Sequence, residues 1–208
     1  MRNIVFVALL VVSAVALAGG RDINKLNGKI HAEAGQSYGD LETVNGAIEV
    51  DPGAVVKGIE TVNGSVRIGD GARVESVEVV NGKVRIGKNV VVAEDVEAVN
   101  GKVSIGEGST VGAEVETVNG GIELLGVRVG GNVETVNGDM FIGANTVVKG
   151  KLVVHEPKGS WFSSNSRKPK VVIEAGAVVE GGFDFRREVE LVRDPAAKIG
   201  PQSTNVER

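Results

Sequence analysis

Six glutamates, Glu42, Glu60, Glu78, Glu97, Glu116 and Glu134, recur every 18 or 19 residues. Carboxylates repeated at one phase can ligate divalent cations, meet a basic partner, or keep a surface solvated and closed to lateral strand pairing. Acid–base chemistry would need them clustered with a second group type, whereas a straight row at constant spacing has no matching Asp or Lys at each height. The two histidines, His31 and His155, stand near opposite ends of the repeat region, too far apart in sequence to share a metal, and there is no cysteine. A His near a coil boundary serves acyl transfer in hexapeptide solenoids; His155 is read instead as the residue that ends a ladder. Trp161 and Phe162, the one Trp beside one of five Phe, form a loop pair suited to stacking on a sugar or a protein, or to covering a core end. G-x-S-x-G and phosphate-binding glycine motifs are absent in the required strand-to-helix setting. The expectation is a non-enzyme with no cofactor and no metal, the glutamates forming a solvated stripe.

What would position these residues is a repeat. Asn-Gly occurs at Asn27, Asn45, Asn63, Asn81, Asn100, Asn119 and Asn137, each followed by glycine. A period near twenty residues marks a solenoid whose units pack on their neighbours. The unit from Ile59 to Ser76 divides into three six-residue segments with apolar pairs Ile59 and Val62, Val66 and Ile68, Ala72 and Val74. Alternation within segments signals strands, and the glycine-bearing junctions signal corners. Aliphatic identity persists at one phase through Leu41, Ile59, Val77, Val96, Val115 and Val133. It persists also through the valine preceding each Asn from Val44 to Val136. β-Branched residues and glycine stand where a helical repeat would place helix formers.

The sequence therefore predicts an all-β fold: a single-stranded parallel β-helix with three short strands per 18–19-residue coil, right-handed by the usual crossover preference. Asn45, Asn63, Asn81, Asn100, Asn119 and Asn137 form a structural ladder at one corner, passing amide hydrogen bonds between coils about 4.8 Å apart. Their fitness for the corner is ascribed to tolerance of positive φ by Asn and Gly. A hairpin at each Asn-Gly is the competing geometry, but all three segments keep the phase, not the turn alone. Thr43, Thr61, Val79, Ala98, Thr117 and Thr135 make an interrupted outward column, unlike the regular threonine array of an ice-binding rod.

Arg2 followed by an apolar run from Ile4 to Ala16 and by Ala16-Leu17-Ala18 reads as a signal peptide over residues 1–18. No stable membrane span is expected after cleavage, because the run is shorter than the roughly 20 residues a span needs. The solenoid domain is placed at 19–199, with a loop excursion at 157–169 and a C-terminal capping coil at 170–199. There Phe183 and Phe185 close the core, and 200–208 form a disordered tail. The N-terminal stretch from Asp22 to Tyr38 is read as one weaker, irregular coil. Of 23 basic residues Arg2 lies in the signal, leaving 22 against 27 acidic ones, a balance that disfavours nucleic acid.

The Val-Asn-Gly-x-(Val/Ile)-x-Ile pattern between Asn27 and His155 resembles that of bactofilin-like and bacterial adhesin-like β-solenoids, over some two-thirds of the chain. The resemblance implies a non-enzymatic structural or scaffolding protein that associates through its surface or end to end. Bactofilins are cytoplasmic and lack a signal peptide, and here the chain departs from them. The expectation is an exported scaffold of the bacterial cell envelope, periplasmic or secreted, partnered by itself or by an envelope component. A polysaccharide-binding or polysaccharide-processing β-helix is the alternative.

Overall fold

The computed structural model describes residues 20–157 and 167–201. The signal peptide at 1–18, the Trp161–Phe162 pair and the tail from 202 onward lie outside the described residues. Those that remain form a parallel β-solenoid of about nine coils with three short strands per turn. Every strand pairing is parallel, between residues 17 to 20 positions apart, or 31 apart where the partners lie on either side of residues 157–169. Hairpins at the Asn-Gly pairs are thereby excluded.

Three faces run the length of the rod. The first holds the Glu and Asn columns, and its strands include Leu41 to Asn45, Val96–Asn100 and Val133–Thr135. The second is a nine-stranded sheet from Ile30–Ala32 to Glu190–Arg193. The third carries Val91–Val92, Thr110–Val111 and their successors to Lys198–Ile199. In the early coils the third and first faces are one strand, nine residues long, as in Arg73–Asn81. Arg73–Asn81 then pairs with two separate strands, because Val74 aligns with Val92 while Val77 aligns with Val96. One inserted residue among Ala93, Glu94 and Asp95 thus opens a corner, and the change from 18 to 19 in the Asn spacing is its trace in sequence.

The interior is a column of aliphatic residues from Ile30 to Phe185 with almost no exposure. Each contributes about 1.5–3 kcal/mol on burial, and each is shared between neighbouring coils. Phe183 and Phe185 fill the core near its C-terminal end as a stacked pair with ring centroids 5.0 Å apart. Beyond them Leu191 and Val192 of the last second-face strand are exposed.

Strict strand alternation changes the reading of the first face. Leu41 and Thr43 point inward while Glu42 and Val44 point outward, as a period of two demands. The threonine column therefore lines the core: Thr43, Thr61, Thr117 and Thr135 are all buried. The valines preceding each Asn are half-buried on the outside. Pairing Ile59 with Val62 as inward residues spans three positions, which no single flat strand can place on one face. The inward threonines sit beside the corner, and Thr61, Thr117 and Thr135 spend their hydroxyls there. Thr61 donates to the Gly46 carbonyl at 3.3 Å, and Thr135 accepts from Gly138 N–H at 3.0 Å.

The N-terminal stretch forms the irregular coil that its sequence suggests. Arg21–Asn27 and Ile30–Ala32 form a first coil that pairs with the second, with a register shift between Arg21 and Ile23. Lys25 occupies the inward Thr43 position of that coil. It is exposed, and its ammonium donates to the Lys29 carbonyl at 2.7 Å.

Candidate functional site

The Asn-Gly corner carries a one-directional amide ladder. Each Asn Nδ2 donates to the Oδ1 of the Asn one coil earlier, from Asn45 to Asn27 at 3.1 Å through Asn137 to Asn119 at 2.9 Å. Asn63, Asn81, Asn100 and Asn119 supply the bonds between, at 2.9–3.0 Å. Asn137 leaves an acceptor at the C-terminal end, and Arg187 Nη1 donates to it at 3.0 Å. A side chain fifty residues away closes the ladder, which spacing alone could not reveal.

Positive φ does not explain the corner. Among the described Asn-Gly pairs only Gly28 has it, at 104°. The glycines are required by close stacking instead: a Cβ on Gly82 would lie 1.9 Å from the Gly64 carbonyl oxygen, and one on Gly101 would lie 1.7 Å from that of Gly82. Positive φ belongs to the corner between the second and third faces, at Gly53, Gly71, Asn89 and Gly108.

The ladder asparagines are solvent-exposed for the most part, so water can replace a lost amide partner. Asn81→Ala, which breaks two ladder bonds, is expected to cost about 1 kcal/mol in urea unfolding. Asn27→Ala breaks one and should cost about half as much. Equal costs would mean that the amides do not act as a ladder.

Beside the amides, Glu42, Glu60, Glu78, Glu97, Glu116 and Glu134 stack in register. Partial withdrawal from water, then the neighbouring carboxylates, push Glu42, Glu78 and Glu116 above the ordinary carboxylate range. Folding therefore binds protons at these positions, and their unfavourable contribution fades as pH falls through the raised values toward the ordinary one. Glu78→Gln is expected to stabilise the chain at neutral pH by about 0.5 kcal/mol. That gain should shrink on acidification, and a gain constant with pH would refute the repulsive ladder.

The row ends in a buried cluster. His155 does not end the Asn column, because Thr135 aligns with Val154 and the residue matching Asn137 is Glu156. It stands instead beside the glutamates, its Nε2 2.6 Å from Glu134 Oε2, with exposures of 7% and 15% for the two side chains. Arg186 Nη1 lies 3.2 Å from His155 Nδ1 and Arg186 also binds Asp184. Asn132 donates to Glu134 Oε1 at 3.0 Å and to Glu114 Oε1 at 3.2 Å. The His155 hydrogen bond, opposed by burial and helped by Asn132, holds Glu134 below the usual carboxylate range, opposite to its neighbours. At the other end, the Asn24 amide lies 3.2 Å from Glu42 in the orientation that lets its nitrogen donate.

A second polar ladder, at the corner between the third and first faces, escaped the sequence reading. Asp22 accepts from Asp40 N–H, Asp40 from Gly58 N–H, Asp95 from Glu114 N–H, and Asn132 from Lys151 N–H, at 2.8–3.2 Å. Its only sequence signal is Asp22 and Asp40 at the repeat spacing, soon lost in Gly58 and Ser76.

The second face is basic at mid-length. Arg67 stacks on Arg85, and Lys83, Arg85, Lys102, Ser104 and Glu123 line a shallow hollow of about 450 Å³. Lys102 pairs with Glu123 at 2.6 Å, and Lys29 pairs with Glu49 nearer the N-terminal end. Among the described residues no three His, Asp or Glu side chains converge as a metal ligand set. No helix among them is long and apolar enough to cross a membrane. No protein-family profile, curated protein or solved structure matches the chain.

Proposed function

We propose that the chain is a non-enzymatic structural rod of the bacterial cell envelope, exported through its N-terminal signal and acting by association through its surface. The observation that carries this reading is the unbroken register of side-chain ladders across the coils. The Asn column repeats at one phase from the first coil to the seventh, and the Glu column from the second to the seventh. Such a design gives a stiff rod with uniform faces, where a catalytic site concentrates unlike groups at one place. The bactofilin-like and adhesin-like repeat style supports a scaffolding role in the same sense.

Fractionation of bacteria making the full chain tests the proposal. The chain is expected in the periplasmic or envelope fraction, shortened at its N-terminus, and its deletion should sensitise cells to osmotic or detergent stress. A full-length chain in the cytosol, or a deletion without envelope phenotype, would overturn it.

A further inference from the structure

The rod carries two oppositely charged faces at the same height. On the first face Glu60 and Glu78 are the most exposed members of the glutamate row. On the second face of those same two coils stand Arg67 and Arg85, with Lys83 beside them, all exposed. None of the ion pairs among the described residues involves these five side chains. Glu60 stacks on Glu78 and Arg67 on Arg85, and like charges in register are unfavourable until an opposite charge approaches, although Arg67 also has Glu49 in register on its other side.

We propose that copies of the chain pack side by side, Glu60 and Glu78 of one against Arg67, Lys83 and Arg85 of the next. This rests on the surface-association reading above and names its partner as a second copy. Both columns keep their charge over these two coils, so a contact made at one is made again at the other. The patch is bounded by Glu49 and Glu123, whose charges are already met by Lys29 and Lys102. Val62 and Val80, half-buried beside the glutamates, give the acidic face a flat aliphatic margin for close approach. An anionic polysaccharide would account for the basic patch but would leave the acidic row at the same height unexplained.

The contact is heterologous, since each copy offers its acidic face to one neighbour and its basic face to another. Such contacts do not close on themselves unless the rotation brings a ring together, so rows of rods are the expected product. Individual exposed pairs are weak and screened by salt. Association therefore belongs to low ionic strength or to the crowded surface of an assembly.

Sedimentation velocity of the full chain at low and high salt tests this. Concentration-dependent association is expected at low salt, falling about tenfold or more in affinity at high salt. Glu60→Lys with Glu78→Lys should be monomeric, as should Arg67→Glu with Arg85→Glu, each melting as a folded chain. Glu60→Gln with Glu78→Gln, a milder change, should weaken association without reversing the face. An equimolar mixture of the two reversed variants should associate again, because both faces of one are then basic and both of the other acidic. A wild type monomeric at low salt, or association indifferent to the reversals, overturns the interface. A monomeric wild type that binds polygalacturonate through Arg67 and Arg85 overturns it in favour of an anionic polysaccharide. Association that survives the reversals leaves the scaffolding reading standing, whereas a cytosolic chain in the fractionation sinks that reading itself.

Discussion

Gly82→Ala is expected to lower the unfolding free energy by about 3 kcal/mol, at the upper end of overpacking costs. The added methyl would lie 1.9 Å from the Gly64 carbonyl oxygen and 2.5 Å from its carbon. No rotamer relieves a clash between a Cβ and backbone, so the two coils must part at that corner. Parting them strains the Gly64 N–H bond to Asn81 O and the Asn81 to Asn63 amide bond as well. Gly53→Ala is the contrast. Gly53 has a φ of 72° with nothing near its missing Cβ, so alanine meets only the left-handed penalty of about 1 kcal/mol. If thermal and urea unfolding rank Gly53→Ala as the costlier change, coil stacking is not what selects glycine after each Asn.

The period, the three strands per coil and the second-face core columns were legible in the sequence because each depends on local alternation repeated many times. Ile48, Val66, Val84 and Val103 need no partner information to be placed inside, and all four are buried. On the first face the apolar pattern points one position away from the true interior. Valine before every Asn is the more apolar column, yet Thr43 and Thr61 take the interior because Leu41 and Ile59 fix the parity of the strand. Their hydroxyls are tolerated in the core because the corner backbone is within reach, although Thr43 Oγ1 has no such partner. The ladder ends were beyond sequence reading altogether. Arg187 reaching Asn137, and Arg186 with His155 reaching Glu134, depend on pairings that step by 31 residues across 157–169 and so break the phase.

The same return explains why one glutamate behaves unlike the rest. Glu42, Glu78 and Glu116 face like charges along the row, whereas Glu134 meets His155 at the point where Val153 replaces the next carboxylate. A row of repelling charges thus ends on a residue that can hydrogen-bond to the last of them. Glu60 and Glu78 take part in none of the ion pairs among the described residues, which leaves their charge available to a partner outside the chain.

His155→Ala is expected to cost about 3 kcal/mol at neutral pH, since it strips a nearly buried carboxylate of its shortest hydrogen bond and leaves Arg186 only its pairing with Asp184. The pH dependence gives the sign. Glu134 titrates below its ordinary value in the folded chain, so its contribution is complete above the ordinary carboxylate range and is lost as pH falls through the lowered value. Without His155 the raising effect of burial is opposed only by Asn132 and Arg186, so most of the lowering of Glu134 is lost. Acidification then weakens the wild type more than the variant. The stability gap between them should therefore narrow as pH drops through the carboxylate range. His155→Gln, which can still donate to Glu134, should recover part of the loss at neutral pH. Urea unfolding of the three chains at neutral and acid pH decides the matter: a gap that stays constant would show that His155 acts only by filling space, and the Glu134 contact would then have no electrostatic role at the end of the row.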